Sequence, residues 1–259
     1  MRLLCFVGVL AILWLPLAIP LSWLLKGDPN LATIVVMGLL FVELLWLWNL
    51  WGRLVYQEVR IFDRYGMVVS RKNATELFKG LAIGFCLCLS LFIVEAWLGW
   101  ITIVSPQVSL IKIVLEGLIS ALGIALAEEF LFRGWLLDEL RRDYQPNTCV
   151  WSGALIFALA HFIKPIDEII RTAVTFPALV LLGISLIIAK SRHSNRLGIC
   201  IGIHGGLVWG YYIVNVAELI QYSDRVPIWV TGIDNNPIAS IMGLIFLSGL
   251  IVICDRLRG

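Results

Sequence analysis

Apolar runs long enough to cross a lipid bilayer recur from one end of the chain to the other, and they restrict the fold more than any other feature. A segment in hydrocarbon must satisfy its backbone polar groups internally, which leaves α-helices and closed barrels. These runs far exceed the roughly ten residues of a barrel strand. The sequence therefore predicts an all-α, polytopic membrane helix bundle. Eight helices are expected, at about 3–25, 31–51, 77–100, 108–140, 149–164, 170–189, 197–220 and 238–255. Composition agrees, since 60% of the 259 residues are hydrophobic against about half in soluble domains. The net charge of +2 carries no nucleic-acid signature, so the lipid bilayer is the expected surroundings. The opening run "MRLLCFVGVLAILWLPLAIPL" lacks a small-residue cleavage site and reads as an uncleaved first span.

One integral-membrane domain over 1–259 is expected, in three parts. N-terminal helices occupy 1–107 and include a basic, amphipathic interfacial loop at 52–76. A motif-bearing core follows at 108–220, then a C-terminal loop and last helix at 221–259. Alternate connections carry the positive charge. Arg2, Arg53, Arg60, Arg64, Arg71, Lys72, Lys79, Arg141, Arg142, Lys190, Arg192, Arg196, Arg256 and Arg258 fall on one side, and only Lys26, Lys112, Lys164, Arg171 and Arg225 on the other. Positive charge favours the cytoplasm, so both termini are expected there, in the plasma (inner) membrane or an internal one. The six cysteines form no CxxC pair and read as small apolar residues.

Ionisable groups inside spans are costly and therefore functional candidates. They are Glu43, Glu95, Glu116, Glu128, Glu129, Arg133, His161 and His204; His193, in "KSRHSNR", reads as a solvated loop residue. In "ALAEEFLFRGW", Glu129 and Arg133 are four apart with the acid first, the favourable order for a pair on one helix face. That pair alone would be read as a structural ion pair. Glu128 is rotated by about 100° and is surplus to such a pairing; its face is expected to run back through the small residues Ala125, Ala121 and Gly117. Phe157 and His161 are also four apart, so ring and imidazole can stack. Further on, Gly198, Gly202, Gly206 and Gly210 form a stripe for close helix packing. His204 lies on the other side of that helix with Val208 and Tyr211, which favours an inward, polar face. Taken singly, either histidine could equally be a hydrogen-bonded packing residue.

These residues resemble a known family. "EEFLFR" is similar to the EExxxR motif of the CAAX protease and bacteriocin-processing (CPBP, Abi) intramembrane proteases, "FALAH" to their FxxxH motif, and His204 in a glycine-containing apolar helix to their third motif. Three motifs in order make the likeness specific over about 115–220, and the eight-helix count suits Ras-converting-enzyme-like members. The resemblance implies peptide-bond hydrolysis within the membrane, at a site opening toward the cytoplasm. It gives Glu128 the role of general base on a water shared with His161. It has His204 bind the oxyanion, with Glu129, Arg133 and Phe157 supporting the site. The implied substrate is a peptide or protein at the membrane, in family terms a C-terminal tail. Relatives are often called metalloproteases, and Glu128, Glu129, His161 and His204 could together bind zinc. No HExxH is present, and the metal-free mechanism is the preferred one of the two. One position departs from the pattern: the family's usual Asn or Asp four residues after the third-motif histidine is Val208 here.

Two other functions compete. Val208 motivates a catalytically impaired, protease-like scaffold that binds a membrane partner. A small transporter using buried charges as a relay is disfavoured by the long basic loop and the lack of broken helices.

Overall fold

The computed structural model describes residues 1–106, 109–233 and 236–257. Arg258, one of the cations assigned a side above, and Val108, the expected start of the fourth helix, lie outside them. The described chain is nearly all helical, and six of its helical stretches are long and apolar enough to cross a membrane. Contacts divide it into two units, Met1–Arg64 and Tyr65–Gly259.

In the first unit, α1 (Arg2–Leu24) and α2 (Pro29–Val55) pack on each other. Their connection is short because Asp28 caps α2, accepting from the Leu31 N–H at 3.0 Å, with Pro29 pre-set for the first turn. Trp14 donates its indole N–H to the Val36 carbonyl at 3.2 Å, and Phe6 meets Trp51 edge-on. Most other side chains of α1 are exposed, as a lipid-facing helix requires. The expected interfacial loop contains the short helix α3 (Ile61–Tyr65).

The second unit holds α4 (Arg71–Trp97), α5 (Leu110–Glu129), a π-helical stretch (Phe130–Leu136), α6 (Leu137–Asp143), α7 (Pro146–Ala160), α8 (Ile166–Thr172), α9 (Phe176–Arg192), α10 (Gly198–Val216), α11 (Ile228–Thr231) and α12 (Ile241–Arg256). Two short strands, β1 (Ile101–Ile103) and β2 (Ile220–Tyr222), pair antiparallel, Ile101 against Tyr222. The Tyr222 hydroxyl is pushed above its ordinary range, by burial first and by neighbouring Glu95 second.

The unit is organised around α10. The glycine stripe packs on α4, where Gly80 and Gly84 answer it. A Cβ at Gly202 would overlap the Leu77 carbonyl, and one at Gly206 the Leu81 carbonyl. Backbone-to-backbone approach of this kind needs small residues on both helices. The other side of α10 is thereby presented to α5 and α9.

Six of the eight expected helices reach spanning length, α8 and α9 counting as one stretch, Ile166–Arg192. The fifth and eighth are shorter: α7 has 15 residues and α12 has 16, or about 22 and 24 Å against the roughly 30 Å of a hydrocarbon core. Several of the cation-rich connections meet at one end of this unit. Arg196 grips Glu76 with two nitrogens, Arg192 pairs with Asp255, and Arg141 donates to Asn195 at 2.6 Å and to Ser191 at 3.1 Å. The hydrogen bond to Glu76 holds the Arg196 guanidinium more firmly protonated than usual.

Candidate active site

The buried face of α5 is a stripe at every fourth residue: Ile113, Gly117, Ala121, Ala125 and Glu129. This corrects the expectation that the small residues share a face with Glu128; they lead to Glu129. Gly117 receives the ring of Tyr212, and Gly205 lies against Ala121, Leu122 and Ala125. The bare backbone of Gly205 brings α10 onto α5 one residue from His204.

The helix then widens. Over Phe130–Leu136 the turns are π rather than α, so the expected single helix at 108–140 is interrupted. Five of those seven residues are buried, Arg133 among them. π segments of this kind occur often at functional sites. Nothing in the composition of "FLFRGWL" announces one.

At this junction Glu129 Oε1 accepts from Arg133 Nη1 at 2.9 Å and from His204 Nδ1 at 2.8 Å. Glu129 and Arg133 are 0% and 1% exposed. Two donors, one of them a guanidinium, stabilise the buried charge at that oxygen, while Glu129 Oε2 has no hydrogen-bond partner among the described residues. The guanidinium also sits 4.0 Å over the Phe157 ring, a cation–π contact strengthened by burial. Phe157 is fully buried and serves as a hub: it meets Phe132, His161 and His204 edge-on, with centroids 5.1, 4.7 and 6.3 Å away.

Both histidines have one nitrogen committed. His161 Nδ1 is 2.9 Å from the Phe157 carbonyl, which can only accept. His204 Nδ1 faces the Glu129 carboxylate. In each ring Nδ1 is therefore the protonated nitrogen, and Nε2 is left for the site. Both Nε2 atoms face Glu128 Oε2, at 3.7 Å from His161 and 3.9 Å from His204. Those separations are too long for direct hydrogen bonds, and Glu128 Oε2 has no hydrogen-bond partner among the described residues. The Glu128 and His161 side chains are 29% and 33% exposed, unlike the buried pair beside them. A water molecule fits the chemistry of that gap, donating one hydrogen to the carboxylate and one to an imidazole nitrogen.

Of the four residues considered for zinc, one carboxylate is already committed. Glu129 Oε1 is engaged by Arg133 and His204. Among the described residues no three His, Cys, Asp or Glu side chains are spaced to hold a metal ion.

A cavity of about 250 Å³ opens beside the histidines. His161, His204, Phe157 and Val208 line one part, and leucines of α4, α9 and α12 line much of the rest. Val208 thus contributes an apolar wall beside His204. Tyr211 also lines the cavity, and Asn215 lines a separate hollow.

Other expectations are met differently. His193 is buried, 3% exposed, with Nδ1 on the Ala189 carbonyl at 2.8 Å, so it is not a solvated loop residue. Its position one residue past α9 folds it back over the helix end. Lys190, counted among the loop cations, is also buried; its ammonium donates to the Tyr65 carbonyl at 3.0 Å and to the Arg133 carbonyl at 2.5 Å. It therefore braces the π segment from α9, a role that no local signal in "AKSRHSNR" reveals. Of the remaining intramembrane acids, Glu43 lies in the first unit, Glu116 is exposed beside Lys112, and Glu95 is fully buried with neither oxygen partnered among the described residues.

No curated protein and no solved structure matches the chain. A family model does match, over a stretch that contains Glu128, Glu129, Arg133, Phe157, His161 and His204. Residues 110–210 match the type II CAAX prenyl endopeptidase Rce1-like family, so the resemblance carried by the three motifs is shown over that stretch.

Proposed function

We propose that this multi-pass membrane protein is an intramembrane endopeptidase in which Glu128 activates the hydrolytic water. The observation that carries the reading is the unpartnered Glu128 Oε2 facing two imidazole Nε2 atoms. A water between Glu128 and His161 is polarised by both acceptors, and its oxygen lone pair is left free to attack. Glu128 takes the proton as the water adds to the scissile carbonyl and passes it to the leaving amine. The developing oxyanion needs a donor. His204 supplies one as an imidazolium, with Nδ1–H held by Glu129 and Nε2–H turned to the site.

The substrate proposed is a peptide segment at the membrane, a C-terminal tail by family analogy, reaching the site from the cytoplasm. The apolar cavity suits a hydrophobic group next to the cleaved bond. Quantitative membrane proteomics comparing Glu128→Gln cells with wild type tests this. A trimmed terminus present in wild type and absent in the variant is expected; identical termini in both would overturn the reading.

A second reading, a scaffold that binds a membrane partner without cutting it, is favoured by Val208 in the wall beside His204. In that case Glu128→Gln and His161→Ala would both leave the cellular phenotype intact. Loss of phenotype in both would remove it.

A further inference from the structure

A second pocket, of about 360 Å³, lies at the cation-rich end of the Tyr65–Gly259 unit, away from the histidine site. One face of α4 forms a side of it, because Lys72, Thr75, Lys79 and Ile83 recur at helical spacing. The adjacent face of α4 is the one bound to α10 through glycines, so the pocket is a groove beside a tight helix pair.

Its chemistry is divided. Lys72 and Lys79 have no hydrogen bond or ion pair among the described residues. Glu76, the acid in the lining, is already neutralised by Arg196. His193 is buried in the wall, and with Nδ1 on the Ala189 carbonyl its Nε2 is the polar atom left to the pocket, without a partner. Farther along α4 the lining becomes apolar, with Ala82 and Ile83, and Ile199 at the start of α10 and Leu257 just past α12 add apolar side chains. From Lys72 to Ile83 is about 16 Å along the helix axis, enough for a phosphate group at one end and the start of an acyl chain at the other.

We infer that this groove binds the phosphate headgroup of an anionic glycerophospholipid, with Lys72, Lys79 and His193 Nε2 on the phosphate and the apolar floor under the acyl chains. Basic pockets between membrane helices bind such headgroups. The apolar floor argues for a lipid rather than a free anion. The site is independent of the proteolytic reading.

The test is native mass spectrometry of the full-length protein in detergent, titrated with phosphatidylglycerol or with phosphatidylcholine of the same acyl chains. One phosphatidylglycerol is expected to bind roughly tenfold more tightly than phosphatidylcholine. The double variant Lys72→Gln/Lys79→Gln should abolish that preference, and the charge-matched Lys26→Gln/Lys164→Gln should keep it. Equal binding of the two lipids would overturn the inference, as would equal loss in both double variants. Full displacement of the lipid by an equal concentration of inorganic phosphate would overturn the lipid assignment. The wild-type arms decide the matter even if a variant fails to fold.

Discussion

Glu128 and Glu129 are adjacent in sequence and belong to different parts of the machinery. Glu129 continues the small-residue stripe of α5, has no exposed surface, and holds Arg133 and His204 on one oxygen. Glu128 stands at the edge of that stripe, partly exposed, with an unpartnered oxygen aimed at two histidines. Burial beside an opposite charge makes a charge structural, because each group present compensates another. Accessibility and an oxygen turned to two imidazole nitrogens make a charge reactive. One turn of helix delivers both, since neighbouring residues differ by about 100° around the axis.

Substitutions can break or sharpen this contrast. The largest effect is expected at His161, which faces the same gap as Glu128. His161→Ala should lower cleavage by about a hundredfold to ten-thousandfold, the usual range for a proton-handling group, with little change in unfolding temperature. Next comes Arg133→Met, which removes the guanidinium from buried Glu129 and leaves His204 as the donor on its Oε1. It should destabilise the protein by about 3–5 kcal/mol, read by thermal unfolding in detergent. A stable Arg133→Met protein would place Glu129 outside the structural role. Gly202→Val attacks the packing face of the helix that carries His204. Overpacking against the Leu77 carbonyl should cost about 1–3 kcal/mol and lower activity through the displaced histidine, measured by unfolding and cleavage together. The smallest effect is expected at Arg192→Ala, where an exposed pair with Asp255 is lost. Its stability change should stay within about 1 kcal/mol.

Much of this contrast was legible in the residues. The i,i+4 spacing of Glu129 and Arg133 is enough to predict their pairing, and the glycine stripe of α10 is enough to turn His204 away from α4. The helical class follows from the apolar runs. What sequence could not show has physical reasons. A π segment has no compositional mark, so the widening at Phe130–Leu136 was invisible. The small-residue face was ambiguous for another reason: Ala125 stands three residues before Glu128 and four before Glu129, and either spacing fits one helix face. Lys190 and His193 looked like loop residues because their neighbours are polar. Their burial depends on the Tyr65 and Arg133 carbonyls and on the end of α9, contacts that arise only once the helices assemble. The two short helices, α7 and α12, are apolar enough to read as spans, and only their observed ends reveal their length.

The central claim is that Glu128 performs chemistry and Glu129 builds the site around it. The most direct measurement compares purified Glu128→Gln and Glu129→Gln with wild type, reading peptide cleavage and thermal unfolding on the same samples. The account predicts that Glu128→Gln loses at least about a hundredfold in cleavage while unfolding as wild type does, whereas Glu129→Gln unfolds at a clearly lower temperature. Cleavage retained in Glu128→Gln, or a Glu129→Gln protein as stable as wild type, would contradict it.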